Sequence, residues 1–250
     1  MIHEVRFEDV TFSYEPGVPV LKGISLLLTS GKKLALVGET GAGKSTTINL
    51  LARFYDPDEG RILIDGHDIR DISLSSLRGH IGIVLQDSFL FPISVKDNIR
   101  FGKPEATDEE VVAAAKSIGA HDFIERLPHG YKYMITEGSS NISIGQRQLI
   151  SFARTLLTDP AVLVLDEATS SIDPYTELVI QRALRHLLRS RMTIIIAHRL
   201  STIRLCDEIL VIDKGVIVER GTHEELMAKG GLYSSFYKLQ FREETGIDSR

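Results

Sequence analysis

Residues Leu34 to Phe54, LALVGETGAGKSTTINLLARF, contain the most informative pattern in the sequence. Its glycines and lysine match the spacing G-x-x-x-x-G-K-[ST] at Gly38, Gly43, Lys44 and Ser45, between a short apolar strand and a helical pattern. The glycines allow successive backbone N–H groups to curl around a phosphate, and the helix N-terminus adds partial positive charge. We therefore expect Lys44 to reach the β- and γ-phosphates of a nucleotide and Ser45 to give its hydroxyl to Mg²⁺.

The composition is that of a soluble globular domain. The 250 residues are 43% apolar and 25% charged, and the net charge of −5 argues against a protein that mainly neutralises nucleic-acid phosphates. The longest apolar runs, AVLVL and MTIII, are far shorter than the roughly 20 residues of a membrane helix. The single cysteine, Cys206, suits a reducing cytosol or a domain that faces it.

Strands alternate with helices along the chain, which predicts an α/β fold. The first segment, HEVRFEDVTFSY, indicates a strand pair or one bulged strand, and the helix after the glycine-rich loop has Ile48, Leu51 and Phe54 on one face. AVLVLD and MTIIIAH are typical of parallel strands covered on both faces, and EILVIDKGVIVERG predicts a hairpin. From about Asp87 to Pro160 the pattern is mostly helical and includes a capping box at Thr107.

Two adjacent carboxylates, Asp166 and Glu167, end the strand in AVLVLDEATSSID. Neighbouring residues of a strand point to opposite faces, so the two side chains can have different roles. We expect Asp166 to hold Mg²⁺ through water and Glu167 to polarise the attacking water.

Three further residues lie at or just after the ends of predicted strands, and they suggest a function only in combination with the motifs above. Gln86 comes after GHIGIVL, where it can bind Mg²⁺ and sense the nucleotide. His198 comes after MTIIIA and can contact a γ-phosphate, because α/β sheets bind ligands at the carboxyl ends of their strands. Tyr14 can stack on a purine ring.

The segment NISIGQRQ, Asn141 to Gln148, predicts a second anion site. Ser143 can cap the following helix, and Gly145 is expected to leave its backbone N–H exposed. This site lies in the helical segment, away from the first phosphate site, so both cannot easily bind one nucleotide within a single compact chain. We therefore expect two chains to face each other.

These motifs together resemble the nucleotide-binding domain of an ATP-binding cassette (ABC) transporter from about Val5 to Phe241. GETGAGKST is similar to the Walker A motif, VLVLDE to Walker B, ISIGQRQ to the family signature, SSID to the D-loop, IVLQD to the Q-loop and IIAHR to the H-loop. VLKGISLLL, LFPISVKDNI and the C-terminal RGTHEELMAKGGLYSSFYKLQF resemble exporter domains that follow a six-helix membrane segment. That segment is absent from the sequence, which suggests a domain excised from a longer chain.

The resemblance implies a P-loop NTPase core with a mostly parallel sheet, an N-terminal antiparallel β region and an inserted helical subdomain. The implied core covers residues 1–86 and 161–250, and the helical subdomain covers residues 87–160. The implied catalytic residues are Glu167, His198, Lys44 and Gln86, and the implied Mg²⁺ ligands are Ser45, Gln86 and Asp166. The implied ATP contacts are Tyr14, Gly38, Thr40, Gly41, Ala42, Gly43, Lys44, Ser45, Thr46, Ser143, Gly145, Gln146 and Asp173.

The resemblance further implies head-to-tail dimers with ATP at both interfaces and a transmembrane domain that places the chain on the cytoplasmic face of a membrane. The acidic net charge, together with the lack of coiled coils or basic linkers in the sequence, argues against a nucleic-acid partner. The signature has Ile142 and Ile144 where leucine and a small residue are commoner, and ITEGSSN keeps Glu137 but lacks an expected arginine. A homodimer and a heterodimer both stay open. The leading function is the ATPase motor of an exporter, and the alternatives are an importer subunit and a non-transport ATPase.

Overall fold

The computed structural model describes residues 2–85, 88–166, 174–189, 191–197 and 200–245. The strands are β1 (Glu4–Glu15), β2 (Val18–Thr29), β3 (Lys33–Val37), β4 (Glu59–Ile64), β5 (His67–Asp68), β6 (Ile81–Val84), β7 (Val162–Asp166), β8 (Met192–Ile196), β9 (Glu208–Asp213) and β10 (Val216–Gly221). The helices are α1 (Lys44–Leu51), α2 (Leu74–Gly79), α3 (Val95–Arg100), α4 (Asp108–Ser117), α5 (His121–Glu125), α6 (Ile144–Thr158), α7 (Pro174–Leu187), α8 (Leu200–Ile203), α9 (His223–Lys229) and α10 (Leu232–Thr245). Short 3₁₀ turns span Ile69–Asp71, Gly130–Lys132 and Glu137–Ser139.

A six-stranded sheet in the order β10-β9-β3-β8-β7-β6 carries the predicted motifs. Strands β9, β3, β8, β7 and β6 are parallel, and β10 returns antiparallel along β9. The hairpin between β9 and β10 turns at Lys214 and Gly215, whose φ angles of 47° and 85° are both positive. The predicted parallel strands and hairpin are confirmed.

A second, four-stranded antiparallel sheet has the order β2-β1-β4-β5. β1 is one continuous strand, and its register against β2 shifts between Phe7 and Val10. Asp9 lies at this shift with a φ of 47°. Of the two alternatives, the bulged strand is therefore correct: the bulge keeps Phe7 and Val10 in the core although they are an odd number of positions apart.

Two hydrophobic clusters lie on opposite sides of the six-stranded sheet. Along β3, Leu34 and Leu36 belong to the cluster shared with the antiparallel sheet and α1, whereas Ala35 and Val37 belong to the cluster shared with the helices. This alternation follows the two-residue period of a strand. The sheet is thus covered on both faces, as its continuous apolar strands predict.

The predicted helix after the glycine-rich loop is shorter than expected. α1 ends at Leu51, and Arg53 turns the chain with a φ of 51°. Phe54 is 56% exposed and lies under the guanidinium of Arg78, 4.9 Å from its ring centroid. The expectation that Phe54 shares the buried face of Ile48 was wrong, because the helical period stops at the turn.

Helices predominate between Val95 and Thr158, and α4 begins with the predicted capping box of Thr107 and Glu110. In the described part of this segment, no residue joins either sheet. Helix α6 contributes Leu149 and Phe152 to the same cluster as Val84 of β6. The division into a core and a subdomain at residues 87–160 stays a prediction.

Candidate functional site

The carboxyl ends of β3, β8 and β7 open into a pocket of about 440 Å³. Because these strands are parallel and adjacent, their ends meet at one edge of the sheet. The pocket is lined by Tyr14, Val20, Thr40, Gly41, Gly43, Lys44, Ser45, Thr46, Asp166 and Ile196. Predicted site residues from three separate sequence segments are therefore brought together: Tyr14, the glycine-rich loop and Asp166.

Glycine is required at both ends of the loop. A Cβ on Gly38 would lie 2.1 Å from the backbone oxygen of Ile212 in β9. A Cβ on Gly43, where φ is +112°, would lie 2.5 Å from Cδ2 of Leu21. These close approaches bring the loop against its neighbours and start α1 directly after Gly43.

The hairpin turn between β9 and β10 supports this loop from the side. The backbone N–H of Gly215 donates to the carbonyl of Ala42 at 3.1 Å, and the N–H of Lys22 donates to the carbonyl of Gly215 at 2.9 Å. A Cβ on Gly215 would lie 2.3 Å from the oxygen of Val20. The sequence analysis missed this role of Gly215, because the contact joins segments that are far apart in the chain.

Lys44 is buried at the start of α1 and lines the pocket. Its Nζ donates to the carbonyls of Gly38 and Glu39, each at 2.8 Å. Burial lowers the pKa of Lys44, and the charge of Asp166 partly opposes this effect. The ammonium is thus held at the mouth of the loop, where its charge would be stabilised by an anion.

Ser45 and Asp166 supply oxygen atoms to the same pocket. Mg²⁺ prefers oxygen ligands and usually takes only one or two from the protein, with water and phosphate oxygens completing the octahedron. In the described ranges, no group of three or more His, Cys, Asp or Glu side chains could hold a metal by itself. The hydroxyl of Ser45 and the carboxylate of Asp166, beside a phosphate-binding loop, are therefore suitable ligands for a Mg²⁺ ion that is bound together with a nucleotide.

Tyr14 lies at the rim of the pocket with 47% of its surface exposed. Its ring meets Phe12 and Tyr55 edge-to-face, with centroids 4.9 and 5.1 Å away. Its hydroxyl donates to Oγ1 of Thr46 at 3.2 Å and accepts from Nδ2 of Asn49 at 3.3 Å. The expected aromatic residue is therefore present at the pocket, held by contacts that the sequence analysis did not anticipate.

The second predicted anion site is the N-terminus of α6. Ser143 caps the helix: its Oγ accepts from the backbone N–H of Gln146 at 3.2 Å, and Oε1 of Gln146 accepts from the N–H of Ser143 at 3.1 Å. This capping box extends the predicted cap, and Ser143 remains exposed. Neither Ser143 nor Gln146 lines the pocket of Lys44.

Gly145 is buried, contrary to the expected exposure of its backbone. A Cβ there would lie 2.2 Å from Cγ2 of Thr176 in α7 and 3.4 Å from Cδ1 of Ile180. The physical reason for a glycine at this position is therefore the close approach of two helices. Whether its N–H contacts a nucleotide stays a prediction.

Two residues that the sequence analysis did not single out order the turn before α6. Nδ2 of Asn141 donates to the carbonyl of Met134 and to the hydroxyl of Tyr133, while Oδ1 accepts from the backbone of Thr136. Arg147 Nη1 donates to the carbonyls of Ser139 and Ile142. An asparagine next to the signature was the only available clue, and its partners depend on the fold.

Four predicted residues, Gln86, Glu167, Asp173 and His198, lie outside the described residues. Asp166 immediately precedes Glu167 and lines the pocket, and Ala197, which precedes His198, is buried after β8. Their predicted roles stay predictions.

Comparison with protein families identifies the chain. Residues 21–170 match the model described as ABC transporter. The uncharacterized ABC transporter ATP-binding protein YfiC of Bacillus subtilis is 52% identical over 239 residues, which are 96% of this chain and 40% of that protein. The ATP-dependent lipid A-core flippase of Syntrophus aciditrophicus is 48% identical over 241 residues, which are 96% of this chain and 40% of that protein.

The fold is also shared with a solved structure, that of a bacterial Atm1-family ABC exporter with ATP bound. The TM-score is 0.89 at 45% sequence identity, over 96% of this chain and 42% of the exporter chain. The chain thus spans about two fifths of the length of these relatives. No helix among the described residues is both long enough and apolar enough to cross a membrane.

The predicted α/β fold, with its antiparallel N-terminal sheet, is confirmed by the structural match, and the predicted family by the domain match. The matched residues include the glycine-rich loop and the strand that ends at Asp166. The chain therefore belongs to the ABC transporter family, and over nearly its whole length it is similar to an ABC transporter ATP-binding protein and to an ABC exporter.

Proposed function

We propose that this chain binds MgATP in the pocket at the carboxyl ends of β3 and β7, hydrolyses it in a head-to-tail dimer, and thereby drives export through a membrane domain. The observation that carries the proposal is the convergence of Lys44, Ser45 and Asp166 with Tyr14 in one pocket. Each group matches a different part of the ligand: the triphosphate, the metal and the base.

The glycine-rich loop and Lys44 would bind the β- and γ-phosphates. The N–H groups at the start of α1 and the ammonium of Lys44 would both attract the negative charge of the phosphates. Burial lowers the pKa of Lys44, and a bound anion would raise it again. Ser45 and Asp166 would hold Mg²⁺, Asp166 through water, and the ion would supply charge neutralisation at the phosphates. Tyr14 would stack on the adenine ring.

The catalytic base in this proposal is Glu167, which follows Asp166 directly. Its carboxylate would take a proton from the attacking water while the water oxygen bonds to the γ-phosphorus. The bond from that phosphorus to the β,γ-bridging oxygen would break, and ADP would leave with the electron pair. Gln86 would be a further magnesium ligand, and His198 would contact the γ-phosphate. Lys44 would stabilise the charge on the phosphate oxygens.

A second chain completes each site in the proposal. The cap of α6 is exposed, and Ser143 does not line the pocket of Lys44, so we infer that it meets the phosphate of an ATP held by another chain. In the proposed arrangement, Ser143, Gly145 and Gln146 of one chain face the ATP held by Lys44 of the other, and Asp173 lies at the same interface. The partner is an equivalent domain, either identical or different.

Export by a membrane domain is inferred from the relatives. The fatty acid ABC transporter of Mycobacterium bovis is named an ATP-binding/permease protein and is 52% identical over 229 residues, 36% of its length. We infer that this chain likewise works on the cytoplasmic face of a membrane beside a transmembrane domain. The importer and non-transport alternatives have weaker support, because the relatives compared include a flippase and an exporter.

Mixing two defective variants tests the head-to-tail arrangement. In a dimer of Glu167→Gln with Ser143→Ala, both defects fall in one composite site if Ser143 acts across the interface, and the other site is intact. ATPase activity of the mixture should then exceed the mean of the two separate variants. If Ser143 acts within its own chain, each site carries one defect and the mixture stays at that mean.

A matched control distinguishes the proposed contact of Ser143 with ATP from its role as the cap of α6. Thr107 caps α4 with the same pair of hydrogen bonds, so Thr107→Ala removes an equivalent cap away from the signature. Each cap contributes roughly 1 kcal/mol to stability. We expect Thr107→Ala to keep wild-type turnover and Ser143→Ala to lose most of it. Equal turnover in the two variants, or no recovery on mixing, would count against the proposal.

A further inference from the structure

We propose that Asn49 is a positioning residue for Tyr14, and that the hydrogen-bond chain from Asn49 through Tyr14 to Thr46 sets the orientation of the base-binding ring. This inference rests on the proposed function, because it assigns the ring to the adenine of ATP. It adds Asn49, which does not line the pocket, to the determinants of nucleotide affinity.

One face of α1 presents two polar side chains to the hydroxyl of Tyr14. Thr46 and Asn49 are three residues apart on α1 and therefore lie on one face of the helix. Both side chains reach the same atom, the hydroxyl oxygen of Tyr14, at 3.2 and 3.3 Å. The helix that begins with Lys44 thus also holds the far end of the aromatic ring, which belongs to a strand of the other sheet.

The direction of the chain follows from its donors. The Asn49 amide nitrogen can only donate, so the Tyr14 hydroxyl oxygen accepts from it. The Tyr14 hydroxyl donates its own proton to Oγ1 of Thr46. Thr46 is an acceptor in this bond, which leaves its own hydroxyl proton to donate elsewhere. Thr46 lines the pocket, so this proton can serve a phosphate oxygen.

Fixing Tyr14 matters because the ring is half-exposed. A tyrosine side chain has two main torsion angles. Anchoring the hydroxyl fixes χ1 and so the position of the ring, while the edge contacts with Phe12 and Tyr55 restrict rotation of the ring about χ2. A ring held in place before binding loses less conformational entropy when the base stacks on it. Removing Asn49 should therefore weaken binding of the base and leave binding of the phosphates unchanged.

The test compares two ligands, ATP and inorganic tripolyphosphate, each with Mg²⁺, by calorimetric titration. One ordinary hydrogen bond corresponds to about a threefold to tenfold change in affinity. Asn49→Leu should weaken ATP binding by that factor and change tripolyphosphate binding by less than about twofold. Tyr14→Phe, which keeps the ring, should do the same, and the double variant should lose no more than the larger single loss.

Thr47→Val is the matched control on the same helix. Thr47 Oγ1 donates to the carbonyl of Gly43, whereas the Tyr14 hydroxyl bonds to Thr46 and Asn49, so the variant should leave the ratio of the two affinities at the wild-type value. A wild-type ratio in Asn49→Leu, equal losses for both ligands, or additive losses in the double variant would overturn the assignment of Asn49. If the wild-type chain bound neither ligand, the proposed function would fall with it.

Discussion

Gly145→Ala tests whether the signature glycine serves helix packing. The introduced Cβ would lie 2.2 Å from Cγ2 of Thr176, well inside van der Waals contact, and 3.4 Å from Cδ1 of Ile180. Overpacking of this kind typically costs about 1–3 kcal/mol. Alanine is favoured over glycine within a helix by roughly 1 kcal/mol. The net expectation is a loss of about 0–2 kcal/mol in the free energy of unfolding.

Introducing Gly145→Ala into a Thr176→Ser variant tests whether the Thr176 methyl group is the cause of the loss. Serine lacks the methyl group that the new Cβ would meet and keeps the hydroxyl. In this background only the helix preference remains, so Gly145→Ala should stabilise the protein by roughly 0.5–1 kcal/mol. The substitution is thus expected to change sign between the two backgrounds.

Urea unfolding of the wild type, both single variants and the double variant measures this coupling. The coupling free energy should be about 1–3 kcal/mol, the range found for residues in contact. If Gly145→Ala stabilised the wild-type background, or changed stability equally in both backgrounds, the packing explanation would be refuted. The glycine would then have to be explained by its backbone N–H.

Two further predictions concern residues outside the pocket. Burial raises the pKa of Tyr233 to about 12, whereas in an unfolded chain the phenol loses its proton near its ordinary pKa of 10.0. The free energy of unfolding should therefore fall as pH rises from about 10 to 12, and less steeply in Tyr233→Phe, as urea midpoints at these pH values would show. Identical pH slopes would contradict this. Arg154 donates to the carbonyls of Asn98 and Phe89 and to Oδ1 of Asn98. Arg154→Lys should therefore lower the free energy of unfolding in urea by about 2–4 kcal/mol. The control Arg126→Lys, at an exposed position, should lower it by less than about 0.5 kcal/mol. Equal losses in these two variants would show that the bonds of Arg154 do not stabilise the fold.

The sequence predicted those features that depend on neighbouring residues. The glycine-rich loop, the parallel strands and the hairpin at Gly215 each have a local pattern of apolar residues and turn residues, whereas the pattern of β1 left a strand pair and a bulged strand open. Asp166 could be assigned to the site because parallel strands end at a common edge. These inferences need only the period of each element and the direction of its strand.

Features that depend on contacts between distant segments could not be predicted. The early end of α1 exposed Phe54, because a helical period gives no information about where Arg53 turns the chain. The burial of Gly145 results from a side chain in α7, and the support of Ala42 by Gly215 joins two loops. Nothing in the helical pattern around Asn49 indicates its hydrogen bond to Tyr14, because Tyr14 lies 35 positions away in the chain.

Binding of ATP in the pocket of Lys44 can be measured by calorimetric titration of the wild type and Lys44→Ala with ATP and Mg²⁺. Lysine contributes charge-assisted contacts to the phosphates, so its removal should weaken binding by about 2 kcal/mol or more, which is roughly thirtyfold. Lys116→Ala, at an exposed position of α4, is the control and should bind like the wild type. Unchanged affinity in folded Lys44→Ala would contradict the account, and a loss confined to Lys44→Ala is the result that it predicts.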